Sequence, residues 1–389
     1  MTSQEAGAAL RFHWFLPTNG DGRDIVGGNH SASAGAVVAS RPPTLGYLGQ
    51  VARGAEQLGF EGVLTPTGSW CEDAWLTTAM LAESTERLKF LVAFRPGFIS
   101  PTLAAHQAAT FQRLSGGRLL LNVVTGGESA EQRAYGDFLD KQQRYERTGE
   151  FLDIVTRLWR GETVTTAGRH LRVEGAALTR LPEPVPDVYF GGSSHAAGPV
   201  AARHADVYLT WGEPPRAVDT KLRWIEELAA REGRTPPRFG IRLHVITRDR
   251  ADEAWRVASR LIERIDDAMI RRAQEGLARS ESEGQRRMRE LHSGDRHGLT
   301  VAPNLWAGIG LVRGGAGTAL VGSHAEVADR IEEYARLGIS EFILSGYPHL
   351  EEAYWFGEGV LPELERRGRW QSQPGSVRQQ EPDLSASGR

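Results

Sequence analysis

The chain has 389 residues, 40% hydrophobic and 24% charged, and its 46 basic and 49 acidic side chains leave a formal net charge of −3. With basic residues scattered, nothing marks a nucleic-acid surface, and no run approaches the ~18 apolar residues that a membrane span needs. The N-terminal MTSQEAGAAL lacks the pattern of a secretory signal, and the single cysteine, Cys71, excludes a disulfide framework and a multi-cysteine metal site, so the expectation is a cytoplasmic enzyme.

In chain order, the first apolar run is 11–17 (RFHWFLP), followed by a Gly/Ser/Ala-rich loop at 19–44 and a helix at 46–58. Strands at 62–67 (GVLTPT), 89–95 (KFLVAFR) and 119–125 (LLLNVVT) follow, with helices at 73–86, 100–114 and 143–160 between and after them. Further strands are expected at 187–192 (DVYFGG), 206–212 (DVYLTWG), 239–246 (FGIRLHVI) and 341–346 (EFILSG), the last after a helix at 324–337 that Ser323 and Glu326 would cap. Strands alternating with helices imply a parallel sheet, and eight such units imply a closed (β/α)8 TIM barrel, one α/β domain over 1–370. Between strands 7 and 8 a long insertion, 249–318, begins as charged helices and turns Gly-rich (NLWAGIGLVRGGAGTAL); on the active-site face it is a lid candidate. The polar tail 371–389 reads as disordered.

Such barrels draw chemistry from the C-terminal ends of their strands. Those positions hold Asn19, Cys71, Arg95, Asn122, Thr125, Ser193, Ser194, Trp211, Arg242, His244, Tyr347 and His349. Arg242 and His244 lie two apart on one strand, so both face the barrel interior, where an Arg needs either an anionic ligand or a barrel carboxylate. Gly191-Gly192-Ser193-Ser194 is either a plain βα turn or a phosphate cradle, and scarce Lys and Arg at these tips favour a single phosphate such as that of FMN over a triphosphate. Cys71 reads either as a small buried hydrophobe or as a nucleophile. Tyr347 beside His349 suits a proton donor, and Arg313 in the Gly-rich lid suits closure over an anion or simple solvation. No HxxxH or HExxH pattern among the 11 histidines suggests a metal, and none is expected.

The segments WFLPTNGDG, GVLTPTGSWCEDAWL, LKFLVAFRP, HQAATFQRLSGGRLLLNVVTGG, DVYFGGSS, YLTWGEPP, FGIRLHVI, NLWAGIGLVRGGAGTALVG and LSGYPHLEEAY, spread from about residue 12 to 355, resemble the alkanesulfonate monooxygenases within the bacterial-luciferase-like flavin monooxygenases. The resemblance implies a two-component system: an NAD(P)H-dependent FMN reductase supplies FMNH2, which with O2 oxidises a small organosulfonate to sulfite and an aldehyde. It implies that Arg242 and Arg313 bind the sulfonate and steady the anionic flavin adduct, that His244 and Tyr347 manage protons, and that Cys71 lies near the flavin. It places FMN against Asn122, Thr125, Tyr145, Gly192, Ser193 and Ser194, and substrate near Asn19, Trp211 and His349. It further implies a homo-oligomer, a dimer or tetramer. The family's His in the PTHGDG segment is Asn19 here and the following loop is longer, which opens the substrate question to a bulkier sulfonate such as sulfoquinovose. A sulfone or other non-sulfonate substrate is the remaining alternative.

Overall fold

The computed structural model describes residues 9–25 and 39–372; most of the expected tail and part of the 19–44 loop fall outside the described residues. Eight parallel strands close into a barrel: β1 (Arg11–Phe15), β2 (Gly62–Thr65), β3 (Lys89–Phe94), β4 (Leu119–Val123), β5 (Val188–Gly191), β6 (Val207–Trp211), β7 (Arg238–Arg248) and β8 (Ile339–Ser345). Each pairs with its successor, and β8 returns to β1, closing the circle. Helices at Leu45–Leu58, Ala74–Leu81, Pro101–Ser115 and Lys141–Trp159 fall where the sequence places them. Ser323 caps His324–Arg336 through a reciprocal bond with Glu326.

The two-residue period of the strands sorts side chains into a shell and an interior. Val63, Phe90, Leu121, Phe190, Ile241, Leu243 and Phe342 pack outward with the helices. Phe15, Leu64, Leu91, Leu120, Tyr189, Val207 and Ile343 fill the middle of the barrel. On β8 the inner row runs Glu341, Ile343, Ser345, and β7 contributes Arg238, Arg242 and His244. One polar layer therefore lies below the apolar plug and another above it.

The insertion opens on the expected helices, and its later part carries strands that the sequence reading did not include. After Ala251–Glu263, Asp267–Ala278 and Glu283–Glu290 come three short strands, Thr300–Ala302, Leu305–Trp306 and Ala319–Ser323. The last pairs in parallel with β7 from His244 to Arg248, beginning where β6 stops opposite Arg242. An 11-residue β7 outruns the barrel rim, and its buried amides and carbonyls need partners that β6 no longer supplies. A hairpin of Val164–Ala167 and Arg172–Ala176 outside the barrel was not anticipated either, because its largely exposed strands show no apolar alternation.

Candidate active site

A cavity of ≈ 270 Å³ opens at the C-terminal ends of the strands, and Asn122, Thr125, Tyr145, Gly192, Ser193, Ser194, Trp211 and Arg242 all line it. A larger surface groove of ≈ 560 Å³ lies between two insertion helices and holds none of these residues. At the β5 turn, a Cβ on Gly192 would sit 2.6 Å from that of Ala197, so only glycine lets the chain turn into helix Ala197–His204. Tyr208 donates to the Gly192 carbonyl at 2.7 Å, and Ser194 Oγ accepts from the Ala197 amide at 3.3 Å. Thr125 Oγ1 and Trp70 Nε1 are buried polar atoms without a hydrogen-bond partner among the described residues. Hydroxyls at a helix start, the Lys141 ammonium and these orphaned donors suit a monophosphate carrying a polar-edged planar ring.

The linker between insertion helices lies across this cavity. Its Glu281 accepts from Arg144 at 2.6 Å and from Ser129, while Lys141 donates to its carbonyl at 2.7 Å. Its amide donates to Gly127 at 2.8 Å, and Gln285 accepts from Gly315 at 2.9 Å. Beneath it, burial pushes the Glu128 carboxyl up to about 7, with Glu131 and Glu281 adding repulsion against the bond from Ser280. Arg95 is paired with Glu131 at 2.6 Å, the buried ion pair that competes with a ligand-binding reading at that strand tip.

Arg242 has no such carboxylate among the described residues. It donates to the Leu243 carbonyl at 2.5 Å and to Ser345 Oγ at 2.7 Å, with its guanidinium carbon 4.9 Å from the Phe15 ring centre. Arg313 reaches the same ring at 5.7 Å, and its Nε is buried without a partner among the described residues. Among the described residues neither guanidinium forms an ion pair with an acid. Burial and the Arg313 charge push the Arg242 guanidinium down to about 9, still a cation at neutral pH. Arg313 is held there by a close backbone crossing: a Cβ on Gly317 would lie 2.8 Å from the Gly310 Cα, and the Gly310 amide donates to Gly317 at 2.9 Å.

His244 stacks on Tyr347 with ring centres 5.6 Å apart. Its Nε2 faces the Ala316 carbonyl at 3.1 Å and its Nδ1 faces Ser345 Oγ at 2.8 Å. A carbonyl can only accept, so Nε2 carries the hydrogen, Nδ1 accepts from Ser345, and Ser345 in turn accepts from Arg242. Burial and the charges of Arg242 and Arg313 hold the ring well below the ordinary histidine range, hence neutral. Burial likewise raises the Tyr347 phenol, despite Arg313, so it stays protonated.

The sequence-nominated residues thus separate into a cavity wall and an adjoining buried cluster of Arg313, His244, Tyr347 and His349, with Arg242 shared by both. Two nominees stand apart. Cys71 does not line the cavity; its Sγ lies 3.5 Å from the Gly68 carbonyl, and burial pushes the thiol up to about 12, which removes the thiolate a nucleophile requires. Asn19 also lies outside the cavity wall, in the turn before Asp21. Sequence reading missed Phe15, Ser345, Glu128, Glu281 and Asp21. The first two share inner-face parity with nominated neighbours, a signal that was available, whereas the acids acquire meaning only through distant partners.

The family described as luciferase-like monooxygenase matches residues 10–341. Among solved structures, a riboflavin lyase with modified FMN and substrate riboflavin is 20% identical over 95% of each chain, with a TM-score of 0.78. A long-chain alkane monooxygenase is 20% identical over 96% of this chain and 94% of that one, at 0.75. DmoA from Hyphomicrobium sulfonivorans is 18% identical over 95% and 91%, at 0.72. These likenesses show a shared fold. Among the described residues no helix is long and apolar enough to cross a membrane.

Proposed function

This chain belongs to the luciferase-like monooxygenase family, and from that premise we propose that it uses FMNH2 and O2 to cleave the C–S bond of an organosulfonate, giving sulfite and an aldehyde. The observation that carries the reading is the buried pair Arg242 and Arg313, both on the face of Phe15 and neither matched by a carboxylate among the described residues. Buried charge without a partner costs several kcal/mol, roughly, and an anionic ligand removes that cost. A sulfonate is a fixed anion whose three oxygens suit guanidinium forks. An uncharged sulfone uses neither Arg, which is why a non-sulfonate substrate ranks below. An alkanesulfonate is the first substrate to test and sulfoquinovose the second.

FMN is supported by the cavity's donor set and by the solved relative whose structure contains modified FMN. Ser193, Ser194 and Tyr145 would hold its phosphate, and Asn122 and Thr125 its ring; bound and reduced, it would supply the activation of O2. The chain's own residues do the rest. Arg242 and Arg313 fix the anionic head, and the protonated Tyr347 offers a hydrogen-bond donor beside it. His244 is pinned at both nitrogens, so it orients Ser345 and, through it, Arg242. The strap anchored by Glu281 keeps water from the reacting atoms. An NAD(P)H-dependent FMN reductase, a homo-oligomeric state and a cytoplasmic location complete the proposal.

Sulfite release tests it. The protein is mixed with FMN, NADPH, a generic flavin reductase and air, and offered methanesulfonate, octanesulfonate and sulfoquinovose in turn. Sulfite from one of them is expected; peroxide alone from all of them would overturn the sulfonate reading.

A further inference from the structure

We infer that Asp21 is a positioning residue: it holds His349 so that Nε2 accepts the proton released when the C–S bond breaks. The inference rests on the sulfonate reading above and adds to it the group that takes that proton. Asp21 is fully buried, and its carboxylate takes four donors. Oδ1 accepts from the Gly22 amide at 2.8 Å and faces His349 Nδ1 at 2.9 Å. Oδ2 accepts from the His349 amide at 2.8 Å and from the Tyr47 hydroxyl. The His349 carbonyl accepts from Trp14 Nε1 at 3.0 Å, so backbone and ring are both fixed.

Burial by itself would raise the Asp21 carboxyl, but His349 and these hydrogen bonds hold it below its ordinary range. An ionised carboxylate has no hydrogen to give, so Nδ1 carries it, and the neutral form of an imidazole held this way has its lone pair on Nε2. That Nε2 is buried and, among the described residues, has no hydrogen-bond partner. The ring packs 5.1 Å from Tyr347 and 5.5 Å from Phe15, the ring that carries both guanidiniums. Within the buried cluster the other candidates for the proton are occupied or unable. Arg242 and Arg313 only donate, Tyr347 already holds its proton, and both nitrogens of His244 are committed.

The step is simple in its balance. Oxygen insertion leaves a hydroxyl on the carbon that bears sulfur. Nε2 takes the hydroxyl proton, the O–H electron pair becomes the second bond of the carbonyl, and the C–S pair leaves with sulfite, which the guanidiniums hold. The base of the 21–41 loop enforces the arrangement. Asp21 and Arg41 exchange backbone hydrogen bonds at 2.9 Å, and Arg41 reaches Glu351, two residues past His349, at 2.7 Å.

The test compares Asp21→Asn, His349→Gln and the double variant, with sulfite release and histidine 15N spectra as readouts. Asp21→Asn should lower kcat for sulfite by about 10²-fold, a typical contribution of a positioned base, with KM for the sulfonate within about twofold. In the His349→Gln background the same change should cost nothing further, because the base is already gone. Independent, multiplying losses would assign Asp21 to loop structure and overturn the inference. The wild-type spectrum judges the tautomer without turnover: an Nδ1–H imidazole for His349 is expected, and an Nε2–H ring sinks the idea even if Asp21→Asn fails to fold. A wild type that releases no sulfite fails the sulfonate reading instead, a result the spectrum keeps separate from the positioning.

Discussion

The barrel holds two polar layers, and they treat buried charge in opposite ways. Below the apolar plug, Glu341 is fully buried and accepts from Tyr189 at 2.6 Å, Arg238 at 3.0 Å and His13 at 3.3 Å. Burial would raise its carboxyl, yet these partners hold it down to about 2. Above the plug, two guanidiniums share Phe15 with no acid paired to them among the described residues. The lower layer is electrically complete and seals the barrel; the upper one is completed only by an anion from outside. A matched buried charge is structure, and an unmatched one is a binding site.

The largest effect that would sharpen this contrast is at the bottom. Glu341→Ala should cost about 3–5 kcal/mol in urea unfolding, since it strands His13 and the Tyr189 hydroxyl inside the barrel and leaves Arg238 with Asp187 alone. Next comes Arg313→Ala, which should cut sulfite release by about 10²–10³-fold while leaving the urea midpoint of the ligand-free protein unchanged or slightly higher. If that variant unfolds as readily as Glu341→Ala, the two layers are alike and the contrast fails.

Smaller again is stabilisation by ligand. Octanesulfonate at about 100 times its Kd should add about 2.7 kcal/mol to the wild type, and nothing to Arg313→Ala, when unfolding is followed with and without it. The smallest effect is expected at Glu128. Its folded carboxyl sits near 7 against 4.5 ordinarily, so its contribution is complete below about 4.5 and is lost as pH rises through about 7. Glu128→Gln should flatten that part of the Tm-versus-pH curve; an unchanged slope would remove Glu128 from the account of the strap.

Much of this was legible in the residues themselves. Eight apolar runs alternating with helical segments determine a parallel barrel, because strand and helix periods are local properties of the chain. Parity placed Arg242 and His244 on one inner face, and Gly192-Ser193-Ser194 marked a tight turn, with a plain βα turn and a phosphate cradle both open. What only the tertiary structure decided depends on contacts between distant segments. Asp21 meets His349 across 328 positions, and Arg144 meets Glu281 across 137. The late strand Ala319–Ser323 takes over the edge of β7, and Arg313 comes to lie with Arg242 on Phe15. Cys71 is open to chemistry by sequence alone, and burial in the fold holds its thiol protonated. Periodicity tells which face a side chain takes, but the charge and the hydrogen-bond partners it meets there are set by packing, and those decide the chemistry.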